Sequence, residues 1–331
     1  MRRKRKDSLK LLICGATGFI GRNIVEKFAL IPEFEVHAVR FKRPEYDLQN
    51  ITWHQADLRN PEDVERVLRG KDVVIQAAAT TSGSKDIVST PYIHITDNAV
   101  MNSYLFRAAF EHRIKHVIFF SCTVMYPSSE KPLHESDFDA SKPMYPRYFG
   151  VGNTKVYLEK MCEFFSTIGE TKFTAIRHSN IYGPYDKFDL ERSHVFGATV
   201  TKVMTSKDKI GVWGTGEEER DLLYVDDLVE FTLLAIRNQQ EKYELLNCGY
   251  GKAVSIRDLV AKIIKASGKN LKIEYELSQP TIKTSLSIDS SLAKELLGWE
   301  PKIDLDEGIR RTLKWWKENI MITNKSGEIF P

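Results

Sequence analysis

Over the first two-thirds of the chain, apolar runs of roughly five residues alternate with stretches whose apolar positions recur every three or four. Residues 10–14 form one such run, the pattern of a strand buried on both faces, and residues 20–30 follow with helical spacing. Further strands are predicted at 34–39, 73–78, 117–120 and 174–177. Helices are predicted from Pro61, over a long segment ending near His112, and over 152–166. The start at Pro61 is explicit. Asn60 supplies an N-cap side chain, Pro61 suits the first helical position, and Glu62 and Asp63 face the positive helix end. Such alternation makes an α/β fold with a parallel, doubly wound sheet of the Rossmann type.

Beyond Ser179 the pattern breaks up among Pro, Gly and charged loop residues. Residues 222–225 and 244–247 read as strands returning to the sheet, and 255–319 as helix, strand and helix. The chain therefore divides into a basic tail (1–9), a dinucleotide-binding part (10–178 and 210–250), and a smaller discontinuous lobe for substrate (179–209 and 251–331).

Between the first strand and its helix stands Gly15-Ala16-Thr17-Gly18-Phe19-Ile20-Gly21. Glycines at this spacing permit a tight turn and let backbone N–H groups approach a pyrophosphate at the helix N-terminus. A glycine triplet alone is a weak signal. The strand before it, the helix after it and the acidic Asp57 further on make it a dinucleotide site. The end of the second strand should separate NAD from NADP. It reads Val39-Arg40-Phe41-Lys42-Arg43, with no acid before Glu45. Cations there suit a 2′-phosphate better than a ribose diol, so NADP is the expected cofactor, with NAD the alternative.

Composition narrows the function classes. The formal charge is only +3, and its excess sits largely in Arg2, Arg3, Lys4, Arg5 and Lys6, read as a solvated tail. Nothing in that balance attracts nucleic acid. No apolar run approaches the roughly 18 residues of a membrane span, and no apolar segment of a secretory signal follows the basic tail. Cys14, Cys122, Cys162 and Cys248 show no paired spacing, which argues against disulfides and zinc and favours a reducing, cytoplasmic setting. His112 and His116 have the spacing of a helical metal pair but straddle the expected helix end, so no metal site is expected. Trp315 and Trp316 read as helix packing rather than a stacking platform.

Several motifs together resemble the extended short-chain dehydrogenase/reductase superfamily of nucleotide-sugar epimerases, dehydratases and reductases. They are the glycine turn, Asp57-Leu58, Ala77-Ala78-Ala79, residues 121–126, Lys155 with Glu159, Asn180-Ile181-Tyr182-Gly183-Pro184, and Tyr224-Val225-Asp226-Asp227-Leu228. The likeness covers nearly the whole chain. Asp186, Phe188, Ser193-His194-Val195, Val212-Trp213-Gly214-Thr215-Gly216 and Arg220 are similar, within it, to the GDP-L-fucose synthase family, which epimerises and then reduces a GDP-4-keto-6-deoxyhexose. The resemblance implies a cofactor lined by Gly15, Thr17, Gly18, Phe19, Ile20, Gly21, Arg40, Arg43, Asp57, Leu58, Ala77, Ala78, Ala79, Lys155, Asn180 and Ile181. It implies nucleotide-sugar contacts at Thr81, Ser82, Asn180, His194, Val195, Trp213, Arg220 and Lys283. Arg220 would grip a diphosphate and His194 would be an epimerising acid/base. A homodimer built on the helices around 95–111 and 152–166 is implied as well. The expected activity is reduction or epimerisation of a 4-keto hexose nucleotide, GDP-linked. Redox-neutral 4-epimerisation and 4,6-dehydration are the alternatives.

One position departs from the family pattern. The superfamily moves its proton with Tyr-x-x-x-Lys, helped by a Ser or Thr; here Val151 stands four residues before Lys155. Tyr148, seven before, shares a helical face with Lys155 but lies about 10 Å further along a regular helix. It would serve only if the backbone unwinds at Gly150-Val151-Gly152. The Ser/Thr position falls at Cys122, flanked by Ser121 and Thr123. Three readings stay open: Tyr148 acts from a displaced position, Cys122 or His194 replaces it, or the protein binds both ligands with little turnover.

Overall fold

The computed structural model describes residues 8–80, 92–190, 193–279, 281 and 284–321. Its first six strands are β1 (Leu9–Cys14), β2 (Phe34–Arg40), β3 (Ile51–Gln55), β4 (Val73–Gln76), β5 (His116–Phe120) and β6 (Lys172–His178). Next come β7 (Asn180–Tyr182), β8 (Lys209–Trp213), β9 (Glu219–Tyr224), β10 (Tyr243–Cys248), β11 (Ala253–Ser255) and β12 (Lys272–Glu276). The main sheet has seven strands in the order β10-β6-β5-β4-β1-β2-β3, every neighbouring pair parallel. The strand order reverses between β1 and β4, and a crevice opens at such a point beyond the carboxyl ends of the strands. This is the doubly wound sheet that the alternating pattern implied.

Helices α1 (Phe19–Phe28), α2 (Pro61–Leu68), α3 (Tyr92–Glu111) and α4 (Phe149–Ile168) alternate with the strands. They are followed by α5 (Val195–Thr205), α6 (Val225–Asn238), α7 (Ile256–Ser267), α8 (Ser291–Leu297) and α9 (Leu305–Trp316). One core cluster joins Leu11, Ile13, Ile118 and Ile176 of the sheet to Ile24 and Phe28 of α1, Leu228 and Phe231 of α6, and Trp299. A second joins Leu12, Val74, Phe119 and Ala175 to Val64 and Val67 of α2, Phe106 of α3 and Leu158 of α4. Alternate residues of one strand thus feed opposite cores, as period-2 side chains must when both faces are covered. A third cluster gathers Tyr182, Phe196, Ile210, Leu222, Leu259, Ile309 and Trp316.

The cap at Asn60 forms as its sequence implies: its side-chain oxygen accepts the backbone N–H of Glu62 at 2.9 Å. Other elements differ from expectation. β3 carries Thr52 and His54 among its apolar positions, too polar a run to announce an edge strand, yet it pairs with β2 along its length. Residues 222–225 do not return to the main sheet. β9 pairs instead with β7 and β11 in a three-stranded sheet, and β8 pairs with β12. Residues 210–224, grouped above with the dinucleotide-binding part, therefore add strands to the small sheets, while β10 alone of the later strands rejoins the large one. Trp316 is buried in the third cluster, and Trp315 packs on Tyr185 and Phe188. His112 and His116 part company: one ring nitrogen bonds Glu65 at 2.6 Å, the other Thr174 at 2.8 Å.

Candidate active site

The glycine turn lies at the reversal point. Gly15 adopts a left-handed φ of 73°, and a Cβ there would stand 2.7 Å from the Ala78 backbone, so only glycine fits both constraints. A Cβ on Gly21 would strike the Gly15 carbonyl oxygen, which fixes how closely α1 approaches β1. Gly18 caps α1 without a side-chain acceptor, and no acid occupies the first turn. The helix thereby offers its unsatisfied N–H groups and positive end to an anion. Ala77 joins the cradle through its N–H to the Cys14 carbonyl at 3.2 Å.

The loop after β2 folds over this turn. Arg43 donates to the Thr17 carbonyl at 3.3 Å and Tyr46 to that of Ala16 at 3.4 Å. Arg40 is the last residue of β2. Asp57 is held by Arg59 through two side-chain bonds of 2.9 Å, which keep its carboxyl below the usual range. Arg59 also faces Phe41 and reaches Asp97 at 3.2 Å. Leu58 and Ile181 are buried in the second and first cores. Phe19 and Ile20 pack partly against the first core.

Behind the crevice a buried network fixes α4. Glu159 pairs with Arg177 at 2.7 Å and accepts from Ser121; Arg177 reaches the Tyr126 hydroxyl at 3.0 Å, which bonds Asn247 at 2.9 Å. One turn before Glu159, Lys155 donates to the Phe120 carbonyl at 2.7 Å, with its ammonium over the Phe119 ring. Burial lowers the Lys155 pKa, and Cys122 and Glu159 oppose that shift. Cys122 is accordingly a neighbour of the lysine, its own thiol pushed up by burial. Thr123 is buried beside it.

Tyr148 does not reach the site by the route considered above. α4 runs unbroken through Gly150, Val151 and Gly152. The glycines serve packing instead: a Cβ on Gly150 would strike Ile95, and one on Gly152 would lie 2.6 Å from the Met144 sulfur. Tyr148 ends a 3₁₀ turn just ahead of α4, and its charged and polar neighbours include Arg220 and Cys122. Burial raises its hydroxyl pKa, with Arg220 pulling the other way.

On the opposite rim, Arg220 of β9 donates to the Thr284 carbonyl at 2.7 Å and to its hydroxyl at 3.0 Å. His194 occupies the N-cap position of α5 without a side-chain cap bond, and desolvation followed by the Lys187 charge pulls its imidazole pKa down. Asn180 donates to the Asp221 carbonyl at 3.2 Å; Val195 packs on the third core, and Trp213 is exposed on β8. Thr81, Ser82 and Lys283 lie outside the described residues. No group of three or more metal-ligating side chains occurs among the described residues.

One crevice residue escaped the sequence reading. His178 ends β6 next to Arg177, with Lys155 and His194 both near enough to act on its charge. Its signal was available, since a histidine at the carboxyl end of a parallel strand stands where ligands bind.

Comparison with known proteins accords with this geometry. A model of the NAD dependent epimerase/dehydratase family matches residues 11–249. The chain is 26% identical over 315 residues to GDP-L-colitose synthase of Yersinia pseudotuberculosis, covering 93% of this chain and 98% of that one. It is 27% identical over 314 residues to GDP-L-fucose synthase of Azorhizobium caulinodans, covering 93% and 96%. Among solved structures, UDP-glucose 4-epimerase of Thermotoga maritima superposes with a TM-score of 0.83 at 24% identity, over 94% of this chain and all of the other.

Proposed function

Since the chain belongs to the NAD dependent epimerase/dehydratase family, we propose that it is an NADP-dependent nucleotide-sugar enzyme that reduces or epimerises a 4-keto hexose carried on GDP. One observation carries the reading: two GDP-sugar synthases align with the chain over 93% of its length and nearly all of theirs. The residues fit the cofactor. The cradle at Gly15 and Gly21 leaves no room for a side chain, α1 presents an uncapped N-terminus, and Arg43 crosses the turn beside Arg40. Such a pair suits a 2′-phosphate. Bound NADPH would supply a hydride. The chain does the rest: Lys155 holds the ribose, Arg220 neutralises the nucleotide diphosphate, and His194 exchanges a proton on the sugar. Four free cysteines, three of them buried, are in keeping with a reducing compartment such as the cytoplasm.

Purified protein mixed with NADPH and 4-keto-6-deoxy sugars on GDP, UDP, CDP and dTDP should consume NADPH fastest with the GDP sugar. No absorbance change and no new sugar in any of the four series would refute the reading. Val151 favours a second reading, a binding protein with little turnover, because the usual tyrosine is missing. Tight binding of NADPH and of a GDP-sugar without conversion is the result that would select it.

A further inference from the structure

We infer that His178, at the carboxyl end of β6, is the group that moves the proton to and from the sugar hydroxyl, in the absence of a tyrosine at position 151. This rests on the nucleotide-sugar reading above. His178 ends β6, which lies between β5 and the edge strand β10, with Cys248 as its register partner, and its carboxyl end is on the same side of the parallel sheet as the glycine turn after β1. Its ring centroid is 6.1 Å from that of Phe120, whose carbonyl holds the Lys155 ammonium at 2.7 Å. The imidazole and the lysine that holds the ribose therefore flank one residue of β5.

The chemistry of the ring follows from a single bond. Nδ1 lies 2.8 Å from the Ser179 carbonyl oxygen. A carbonyl can only accept, so Nδ1 carries the hydrogen and the neutral ring keeps its lone pair on Nε2. No described residue hydrogen-bonds Nε2, and the side chain is partly exposed. Lys155 of α4 and His194 ahead of α5 are its charged or titratable neighbours, with Phe120 of β5 beside it. Burial brings the imidazole to about 4; the Ser179 bond resists this, and the Lys155 and His194 charges add to it. At neutral pH the ring is an unprotonated base. Tyr148 and Cys122 differ, since burial raises both pKa values and leaves each holding its proton.

In the oxidising direction the sugar C–H electron pair leaves as hydride for the oxidised nicotinamide, Nε2 takes the hydroxyl proton, and C=O forms. In the reducing direction Nε2 first takes a proton from solvent, hydride arrives at the carbonyl carbon, and the imidazolium gives that proton to the oxygen. Charge and atoms balance with the nicotinamide as the hydride carrier and solvent water as the source or sink of the proton.

His178→Gln is the direct test, read in steady-state turnover and in NADPH binding. Expected is a fall in kcat on the order of 10²–10⁴-fold with NADPH affinity retained, the loss typical of removing a general acid/base. In the reducing direction only the imidazolium can donate, so the wild-type pH profile of kcat/KM should fall on the alkaline side through one ionisation, and His178→Gln should abolish that limb. A structural role would leave the limb in place. Turnover near wild type in His178→Gln, or a wild-type profile flat on the alkaline side, overturns the inference while leaving the nucleotide-sugar reading intact. A wild type inert toward all four sugar series overturns both. Should His178→Gln fail to bind NADPH, His178→Asn and the wild-type profile decide the matter by the same criteria.

Discussion

Asp186 shows how a single buried residue sets a pH response. One carboxylate oxygen accepts the Lys187 backbone N–H at 2.7 Å, while the other is buried with no hydrogen-bond donor. Burial raises its pKa from 3.8 to about 7. A folded-state pKa above the unfolded one means that the native state binds the extra proton, so stability falls as pH rises through this window and then levels. Asp186→Asn should flatten that slope and raise the denaturant midpoint at pH 8, measured by urea unfolding from pH 5 to 8. An unchanged slope would show that other groups govern it. At this scale the sequence was uneven. Gly15 and Gly21 were readable because a left-handed turn and a close backbone approach each demand glycine. His178 was not, because only the fold sets it beside Phe120 and within reach of Lys155.

Elements were more legible than their partners. The helix at Pro61 was readable from its cap, and the main-sheet strands from their apolar runs. β9 carries the same kind of run, Leu222-Leu223-Tyr224, yet it pairs in a small sheet. Periodicity reports burial; it does not report which strand lies alongside. Sequence left open whether α4 unwinds at Gly150 and Gly152; in the structure it does not, and the two glycines permit close packing against Ile95 and Met144. The contact between α1 and β1 is the element most directly tied to the cofactor. Gly21→Ala drives a methyl group into the Gly15 carbonyl, so it should destabilise the fold by about 1–3 kcal/mol. NADPH affinity should fall with it. Thermal unfolding with and without NADPH measures both, and a variant that keeps the wild-type NADPH-dependent shift would contradict this role.

At the scale of the whole molecule, α3 and α4 pack on the sheet and still expose Tyr104, Phe149, Tyr157 and Phe164. Phe149 and Phe164 are 66% and 56% accessible, unusual for rings on paired helices. A homodimer that buries this face is the proposed assembly. Light scattering should give twice the 38.0 kDa chain mass for the wild type and a monomer for Tyr157→Glu with Phe164→Glu. A monomeric wild type would remove the proposal. No helix among the described residues is long and apolar enough to cross a membrane. The turn at the reversal point of the sheet, with Arg43 folded over it and Arg40 at the end of β2, is the proposed NADP site. It is tested most directly by calorimetric titration with NADPH and NADH, on the wild type and on Arg40→Ser with Arg43→Ser. Saturable binding that favours NADPH, with the preference lost on the order of 10-fold or more in the double variant, is the expected result for charge-assisted phosphate contacts. No binding of either nucleotide, or a preference for NADH that the double variant leaves unchanged, would contradict it.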